Sequence, residues 1–334
     1  MKRTFIIAEA GVNHNGNLDL AYTMVNEAVK AGADAVKFQT AVPELVMTEY
    51  ATKAEYQIVN TGEAGSQIEM AKKIHLPLDA YKGLKEYCER KEIMFLSTPF
   101  DMKSLELLLS FNMMYMKIPS GEITNYPYLQ RIGKENMNVI ISTGMSTLKD
   151  VEECLKLIVG SGTDKEKITL LHCTTEYPAP FEEVNLKAML TLKDKFDVNV
   201  GYSDHTTGIE ISIAAAAMGA TVIEKHFTLD KTMEGPDHKA SLEPNELAEL
   251  VKAIRNVDLA MGDGDKQIAI SEEKNIVIAR KSILAAHDIE EGEIFTDENL
   301  IVKRPGSGIN PMKWNEVIGK KAKRKFSKDE FIEL

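Results

Sequence analysis

FIIAEAGV (5–12), LDLAYTMVNEAVKAG (18–32) and AVKFQTA (35–41) follow one another at the start of the chain. The first and third segments are short apolar runs typical of buried strands, and the middle one has apolar residues at helical spacing. A strand, a helix and a second strand in this order predict two parallel strands with the helix packed outside them. The same alternation of strand and helix continues to residue 230.

Eight short apolar runs are present, each bounded by polar residues, glycine or proline, at residues 5–12, 35–41, 93–100, 115–122, 138–145, 168–178, 199–206 and 221–230. Eight strand–helix units are typical of a (β/α)8 barrel, with an open doubly wound sheet as the alternative. The predicted fold class is therefore α/β: a TIM barrel followed by a small β-rich domain.

The predicted domain limits follow from changes in the pattern of apolar and polar residues along the chain. The barrel pattern ends with a helix, so residues 1–262 form the predicted catalytic domain, and the polar stretch 263–280 forms a linker. Residues 281–334 alternate short strand-like pieces with charged turns, and a domain this small is expected to dock on something. Within the barrel, the long connection 41–76 is either a lid or substrate wall, or a surface elaboration.

Composition narrows the functional class. The 334 residues carry 40 Lys and Arg against 51 Asp and Glu, and the net charge of −11 argues against binding to nucleic acid or to an anionic membrane. The three cysteines form no CxxC pair, which excludes a disulfide framework and a cysteine-based metal site. No apolar run is long enough for a membrane span or a secretory signal. A soluble cytoplasmic protein is expected.

Two histidines stand at neighbouring strand ends, in GYSDHT and EKHFTLD. Residues i and i+2 of a strand share a face, so His205 lies on the face of Ser203 and His226 on the face of Glu224. If those faces point inward, two imidazoles from adjacent strands can share a divalent metal such as manganese, magnesium, cobalt or zinc. The alternative is a pair of core histidines with hydrogen-bonded nitrogens.

Lys37 and Lys117 lie within apolar strands, where an unpaired charge is costly. A phosphate or carboxylate ligand would supply the missing countercharge, and Ser120, Ser142 and Ser203 are placed to donate hydrogen bonds to it. Nucleotide-binding glycine motifs are absent, which favours a small phosphorylated acid. Lys–Glu pairs inside the barrel, with Glu122 or Glu9, and a Schiff-base lysine remain alternatives.

Two carboxylates and two further residues complete the candidate site. Glu122, after the fourth strand, is the first candidate general base or hydrogen-bonding carboxylate, and Glu9 is the second; ion pairing with the lysines is compatible with both roles. Tyr177 in TEYPAP and Asp237 in GPDH lie near the expected barrel mouth, where they are candidate ligands for sugar hydroxyls, although turn chemistry explains them equally well.

A series of motifs, in this order, resembles the sialic acid synthase family: NHNG, VKFQT, STPF, KIPSGE, STGM, LHCTTEYPAP, GYSDHT, EKHFTLD, GPDH and KRPG. The resemblance covers about residues 4 to 334. It implies a TIM-barrel enzyme that condenses phosphoenolpyruvate with the open-chain aldehyde of an N-acylated mannosamine. Water enters at C2 of phosphoenolpyruvate, and phosphate leaves by C–O cleavage.

The same resemblance implies a role for each candidate residue. A divalent metal, manganese first and magnesium or cobalt as alternatives, would be held by His205 and His226. Glu122 would lie between the two substrates, with Glu9 as a further acid/base candidate. Phosphoenolpyruvate would be held by Lys37, Gln39, Lys117, Ser120, Ser142 and Ser203.

Residues 281–334 resemble the antifreeze-like (SAF) domain of these synthases. In the family this domain crosses a homodimer and caps the partner's barrel. The arginine of KRPG, Arg304, would then reach the acyl group of the sugar, with Tyr177 and Asp237 as the other sugar ligands.

The sequence predicts one reaction but leaves three candidate acceptor sugars. N-acetylmannosamine, giving N-acetylneuraminate, is the first prediction. The stretch 53–70 also matches N,N'-diacetyllegionaminate synthases, whose acceptor lacks the 6-hydroxyl and carries a second acetamido group, so a more apolar pocket is expected for it. Pseudaminate synthesis is a third option.

Two other functional classes compete with the synthase. A Schiff-base aldolase or lyase would use Lys117 or Lys225 and need no metal. A carbohydrate-binding protein without catalysis would bind sugar tightly and not turn it over.

Overall fold

The computed structural model describes residues 3–61 and 65–334. Two compact units make up the chain, Met1–Asp263 and Gly264–Leu334. Within the described residues, no helix is long and apolar enough to cross a membrane.

Eight parallel strands form the first unit's sheet: β1 Phe5–Gly11, β2 Ala35–Thr40, β3 Met94–Pro99, β4 Tyr115–Ile118, β5 Asn138–Ser142, β6 Ile168–His172, β7 Asn199–Asp204 and β8 Val222–His226. The ladders join them in the order β3-β2-β1-β8-β7-β6-β5-β4. The end strands β3 and β4 contact each other, so the sheet is rolled into a barrel. The predicted barrel is confirmed, and the open doubly wound sheet is not found.

Eleven helices of the first unit surround or connect these strands: α1 Leu18–Ala31, α2 Pro43–Val46, α3 Glu55–Thr61, α4 Gln67–Ile74, α5 Ala80–Arg90, α6 Met102–Leu109, α7 Tyr126–Gly133, α8 Leu148–Ser161, α9 Ala188–Phe196, α10 Glu210–Ala217 and α11 Pro244–Ala260. Local sequence explains several helix ends. Asn17 caps α1 at its start and Gly32, with a φ of 79°, ends it. Thr147 and Asp150 form a capping box at the start of α8.

Successive side chains of each strand face opposite sides of the sheet, so the apolar residues of the strands form two layers, one outside the barrel and one inside it. Residues such as Ile6, Val36 and Phe38 face outward and pack with the helices in the main core. Their neighbours face the barrel axis and form a small interior cluster, made of Ile7, Ala35, Leu96, Ile140, Leu171 and Val222. This cluster fills the lower part of the barrel, so a site can form only above it, towards the carboxyl ends of the strands.

The second unit is small and β-rich. It begins with α12, Ile270–Ala279, which lies in the predicted linker, and continues with the antiparallel pair β9, Ser282–Ala285, and β10, Leu300–Lys303; α13, Trp314–Val317, follows. Its own apolar core contains Ile283, Phe295 and Phe326 among other residues. The predicted small β-rich domain after the barrel is therefore confirmed as a fold.

Candidate active site at the carboxyl end of the barrel

The site begins where the interior apolar cluster ends. In five strands the residue two positions beyond a member of that cluster is polar and buried: Glu9 after Ile7, Lys37 after Ala35, Thr98 after Leu96, Ser142 after Ile140 and Glu224 after Val222. Residues i and i+2 share a face, so these side chains form the next interior layer at the carboxyl ends of the strands.

A cavity of about 300 Å³ opens at this layer, a size at the lower end of ligand sites. It is lined by all the predicted site residues except two, namely by Glu9, Lys37, Gln39, Lys117, Ser120, Ser142, Tyr177, Ser203, His205, His226 and Asp237. The structure thus brings together side chains that the sequence separates by more than 200 positions.

Glu122 and Arg304 are the two exceptions. Ser120–Glu122 forms a 3₁₀ turn after β4, and the half-buried Glu122 carboxylate accepts a hydrogen bond from Asn125 Nδ2. Glu122 is not among the described residues that line the cavity. Arg304 belongs to the second unit, where its Nε donates to the carbonyl oxygen of Ala279 at 3.0 Å.

Four alternating charges lie at the bottom of the cavity. Lys37 Nζ is 2.8 Å from Glu9 Oε2 and 3.6 Å from Glu224 Oε2, and Lys117 Nζ is 3.5 Å from Glu224 Oε1. Gln39 Nε2 donates to Glu9 Oε1 at 3.2 Å. The Lys–Glu pairing considered for Glu9 is therefore present. Lys117 pairs with Glu224 and not with Glu122, and the sequence analysis gave Glu224 no role.

Burial and charge shift the pKa values in this cluster in opposite directions. Burial raises the pKa of Glu9, and the nearby Glu224 adds to the rise while Lys37 opposes it. Burial acts on Glu224 in the same way, but Lys117 and Lys37 together outweigh it and lower its pKa. Burial also lowers the pKa of Lys117. Glu224 is thus the fixed negative charge, and Glu9 is the carboxylate poised to take up or release a proton.

The predicted serine ligands adjoin the same cluster. Ser142 Oγ accepts from Lys117 Nζ at 2.7 Å, and Ser203 Oγ donates to Glu224 Oε1 at 3.0 Å. Ser120 Oγ accepts from the backbone N–H of Gly144 at 3.0 Å. Two ammonium groups with hydroxyls beside them form a surface suited to the oxygens of a phosphate or a carboxylate.

His205 and His226 face each other above the charges, with ring centroids 5.6 Å apart. His205 Nδ1 lies 2.6 Å from the carbonyl oxygen of Thr174, which holds the proton on Nδ1 and leaves the lone pair on Nε2, with Ser203 Oγ 3.3 Å from that nitrogen. His226 Nδ1 is buried and has no hydrogen-bond partner among the residues that the structure describes. Burial lowers the pKa of both rings, that of His205 to about 4.

These properties fit a bound divalent metal. Neutral imidazoles with a free lone pair are the form that binds metal, and a buried nitrogen without a partner is otherwise unfavourable. Within the described ranges, no three His, Cys, Asp or Glu side chains are grouped so as to hold a metal ion. A metal held here by His205 and His226 would take its remaining ligands from water or substrate.

Aromatic rings cover the histidines. Tyr177 packs on His205 with centroids 4.2 Å apart, and Tyr56 packs on Tyr177 at 5.2 Å. Asp237 also lines the cavity, and burial raises the pKa of its carboxyl group to about 6. The strand pattern could not predict Tyr56, because it comes from the long connection 41–76.

That connection forms one wall of the cavity. It contains α2, α3 and α4, and its apolar contributions to the lining are Ala41, Pro43, Val46, Met47, Tyr56, Met70, Ala71 and Ile74. The connection is therefore more than a surface elaboration, since it lines the cavity as a lid or substrate wall would.

Lys225, one of the two lysines considered for a Schiff base, does not line the cavity. Its Nζ lies 3.1 Å from Asp204 Oδ2, and both side chains are fully buried. Of the two lysines, only Lys117 reaches the cavity.

The sequence was also compared with models of known protein families, and two of them match. The family model of the NeuB family matches residues 24–266, and that of the SAF domain matches residues 280–333. The chain belongs to the NeuB family. NeuB-family proteins are phosphoenolpyruvate-utilising, carbon–carbon bond-forming synthases, so the resemblance and the predicted class of enzyme are confirmed.

Individual NeuB relatives match over nearly the whole chain. An N,N'-diacetyllegionaminic acid synthase of Campylobacter jejuni is 54% identical over 99% of each chain. A second synthase of that name, from Legionella pneumophila, is 45% identical over 94% of this chain and 89% of its own. The crystal structure of an N-acetylneuraminic acid (sialic acid) synthetase from Leptospira borgpetersenii in complex with citrate is 36% identical, with a TM-score of 0.73 over 82% of this chain and 90% of that one.

Proposed function

We propose that the chain is an N,N'-diacetyllegionaminic acid synthase, which condenses phosphoenolpyruvate with 2,4-diacetamido-2,4,6-trideoxymannose and water. The observation that carries this proposal is the identity of 54% and 45% to two synthases of that name, against 36% to a sialic acid synthetase. N-acetylneuraminate, the first prediction from the sequence, is not confirmed, and the alternative given beside it is better supported.

The cavity supports this acceptor through its composition. Met47, Met70, Ile74 and Phe100 line it, and all four side chains are apolar. An acceptor without a 6-hydroxyl loses no hydrogen bond against such a wall. A 6-hydroxyl placed against these four side chains would have no partner there, and an unpaired buried hydroxyl is costly; the polar side chains of the same connection that line the cavity are Gln57, Gln67 and His75.

The lysine and serine cluster is the proposed site for phosphoenolpyruvate. Without ligand, Glu9 and Glu224 balance the charges of Lys37 and Lys117. A phosphate or carboxylate of the substrate competes with those carboxylates for the ammonium groups, and Ser142 Oγ lies within reach of the same oxygens. Gln39, Ser120 and Ser203 complete the proposed set.

The proposed reaction forms a bond between C3 of phosphoenolpyruvate and the aldehyde carbon of the sugar. Water adds at C2, and inorganic phosphate leaves with cleavage of its C–O bond, which gives the 2-keto acid. Glu9 is a carboxylate at the lysine cluster whose raised pKa suits it to accept or donate a proton, whereas Glu122 lies outside the lining residues.

His205 and His226 are the proposed holders of a divalent metal, with manganese first and magnesium or cobalt as alternatives. When bound, such an ion supplies Lewis acidity towards the sugar aldehyde. Tyr177 and Asp237 are the proposed ligands of the sugar hydroxyls. The homodimer and the role of Arg304 in sugar binding stay predictions.

The test is the rate of phosphate release from phosphoenolpyruvate with three acceptors: the diacetamido sugar above, N-acetylmannosamine and the corresponding pseudaminate precursor. Mass spectrometry identifies each product. We expect kcat/KM for the diacetamido sugar to exceed that for the other two by about tenfold or more, the ratio that one lost or unmatched polar contact produces. A kcat/KM for N-acetylmannosamine that equals or exceeds it would reject the proposed acceptor and keep the family activity.

A further inference from the structure

Asp204 and Lys225 are the residues of GYSDHT and EKHFTLD that the proposed chemistry leaves unused. Each precedes one of the two histidines in the sequence. Because successive strand residues face opposite sides, both point away from the cavity, towards the helices. Their ion pair of 3.1 Å is fully buried, with neither side chain exposed to solvent.

The partners of this pair converge on Thr206, the residue after His205. Asp204 Oδ1 accepts from the Thr206 backbone N–H at 2.9 Å and from its hydroxyl at 2.7 Å. Lys225 Nζ donates to the carbonyl oxygen of Thr206 at 2.5 Å. Ser212 of α10 donates to Asp204 Oδ2 at 2.6 Å and ties the pair to the outer helix.

The register of the strands explains why His205 needs this support. The ladder between β7 and β8 ends at the pair Asp204 and Lys225, so His205 lies beyond its last residue pair. His226 is still within β8, where it is opposite Glu9 of β1. His226 is therefore held by the sheet. The backbone at His205 is held by the N–H of Ala179, which donates to the His205 carbonyl oxygen at 2.9 Å, and by the side chains of Asp204 and Lys225 at Thr206.

We propose that the Asp204–Lys225 pair positions the two-histidine metal site by holding Thr206, and with it the backbone of His205, at a fixed place relative to His226. Both residues are positioning residues, since neither reaches the cavity. This inference rests on the proposed metal site. Supporting groups of this kind typically change metal affinity by about 10- to 100-fold when they are removed.

The experiment measures Mn²⁺ affinity of the full chain by calorimetric titration, apart from any activity. Three variants are compared: Lys225→Met, Asp204→Asn, and the double variant Asp204→Asn/Lys225→Met, which leaves no unpaired buried charge and so guards against misfolding. The control is Arg255→Met, which removes an ion pair between Arg255 and Asp34 at the opposite end of the barrel.

We expect each folded pair variant to bind Mn²⁺ about 10- to 100-fold more weakly than the wild type. We expect the control to unfold at a lower temperature and to keep its Mn²⁺ affinity within about twofold. Wild-type affinity in the folded double variant, or an equal loss in the control, would overturn the positioning role alone. A wild-type protein that binds none of Mn²⁺, Mg²⁺ and Co²⁺ would overturn the metal site and the positioning role together, while leaving the synthase activity to be judged by phosphate release.

Discussion

The rings of Tyr56 and Tyr177 pack against each other with centroids 5.2 Å apart, and this contact joins the connection between β2 and β3 to the histidine pair. Asn60, also on α3, donates through Nδ2 to the carbonyl oxygen of Pro236 at 2.7 Å. The helix α3 is thus tied both to the aromatic stack and to the turn that carries Asp237.

Tyr56→Ala should therefore weaken binding of the acceptor sugar and leave phosphoenolpyruvate binding nearly unchanged. We expect the KM for the acceptor to rise about tenfold or more, because a packed aromatic wall is lost, while the KM for phosphoenolpyruvate stays within about threefold. Steady-state kinetics with each substrate varied in turn separates the two constants. Tyr50→Ala is the matched control, since Tyr50 lies in the same connection and is 91% exposed. Unchanged acceptor KM in Tyr56→Ala contradicts the prediction.

Glu224→Gln should destabilise the protein and make its stability respond to phosphate. The substitution leaves Lys37 and Lys117 buried with Glu9 as the remaining carboxylate of the cluster. Loss of one partner from a buried ion pair typically costs about 3–5 kcal/mol. Inorganic phosphate would supply the missing negative charge, so it should raise the unfolding temperature of the variant more than that of the wild type.

Thermal unfolding with and without phosphate measures this effect. Glu106→Gln is the control, because Glu106 forms an exposed ion pair with Arg131, and such pairs contribute at most about 1 kcal/mol. Equal responses of wild type and Glu224→Gln to phosphate would speak against an anion site at the two lysines.

The stability of the protein should depend on pH through Asp237. Burial raises the pKa of this carboxyl group from 3.8 to about 6, so the folded state binds its proton more readily than the unfolded state does. Stability from this residue is therefore intact below about pH 4 and is lost as the pH rises through about 6, by about 3 kcal/mol in total.

Asp237→Asn cannot ionise and removes this dependence. Urea unfolding at about pH 4 and about pH 7.5 should show the variant gaining about 3 kcal/mol relative to the wild type between the two values. Subtracting the wild type at each pH cancels the titration of every other group. A difference between variant and wild type that is the same at both pH values contradicts the assignment.

The strand pattern was sufficient to predict the barrel and most of the polar strand-end residues that line the cavity, but not the side chains of the cavity wall. Parity along each strand placed Lys37, Ser203 and His226 on inward faces, and the ladders keep that parity up to the last paired residue. Glu122 was selected because it follows the fourth strand, but β4 ends at Ile118 and the chain then turns into a 3₁₀ segment, so that position did not bring Glu122 into the cavity lining. A residue beyond the end of a ladder takes its direction from the turn.

Contacts across the barrel were outside the reach of sequence. Glu224 lies between lysines of β2 and β4, and that arrangement depends on how the sheet closes, which no local pattern encodes. Tyr56 comes from a connection without strand periodicity. The sequence did not favour the better-supported acceptor for a related reason: the motifs carry the residues proposed for phosphoenolpyruvate and metal, whereas the apolar residues proposed to face the sugar come from the connection.

His205→Ala and His226→Ala should each abolish tight Mn²⁺ binding and leave phosphoenolpyruvate binding within about threefold, because the lysines and serines proposed to hold the acid are separate side chains. Calorimetric titration with each ligand in turn tests both halves of this prediction. His172→Ala is the matched control: His172 ends the neighbouring strand β6, and its Nε2 lies 2.6 Å from the carbonyl oxygen of Val184.

Chelation that removes Mn²⁺ from the wild type should stop phosphate release, and added Mn²⁺ should restore it. Sugar-dependent phosphate release that continues after complete removal of metal would eliminate the role assigned to the two histidines.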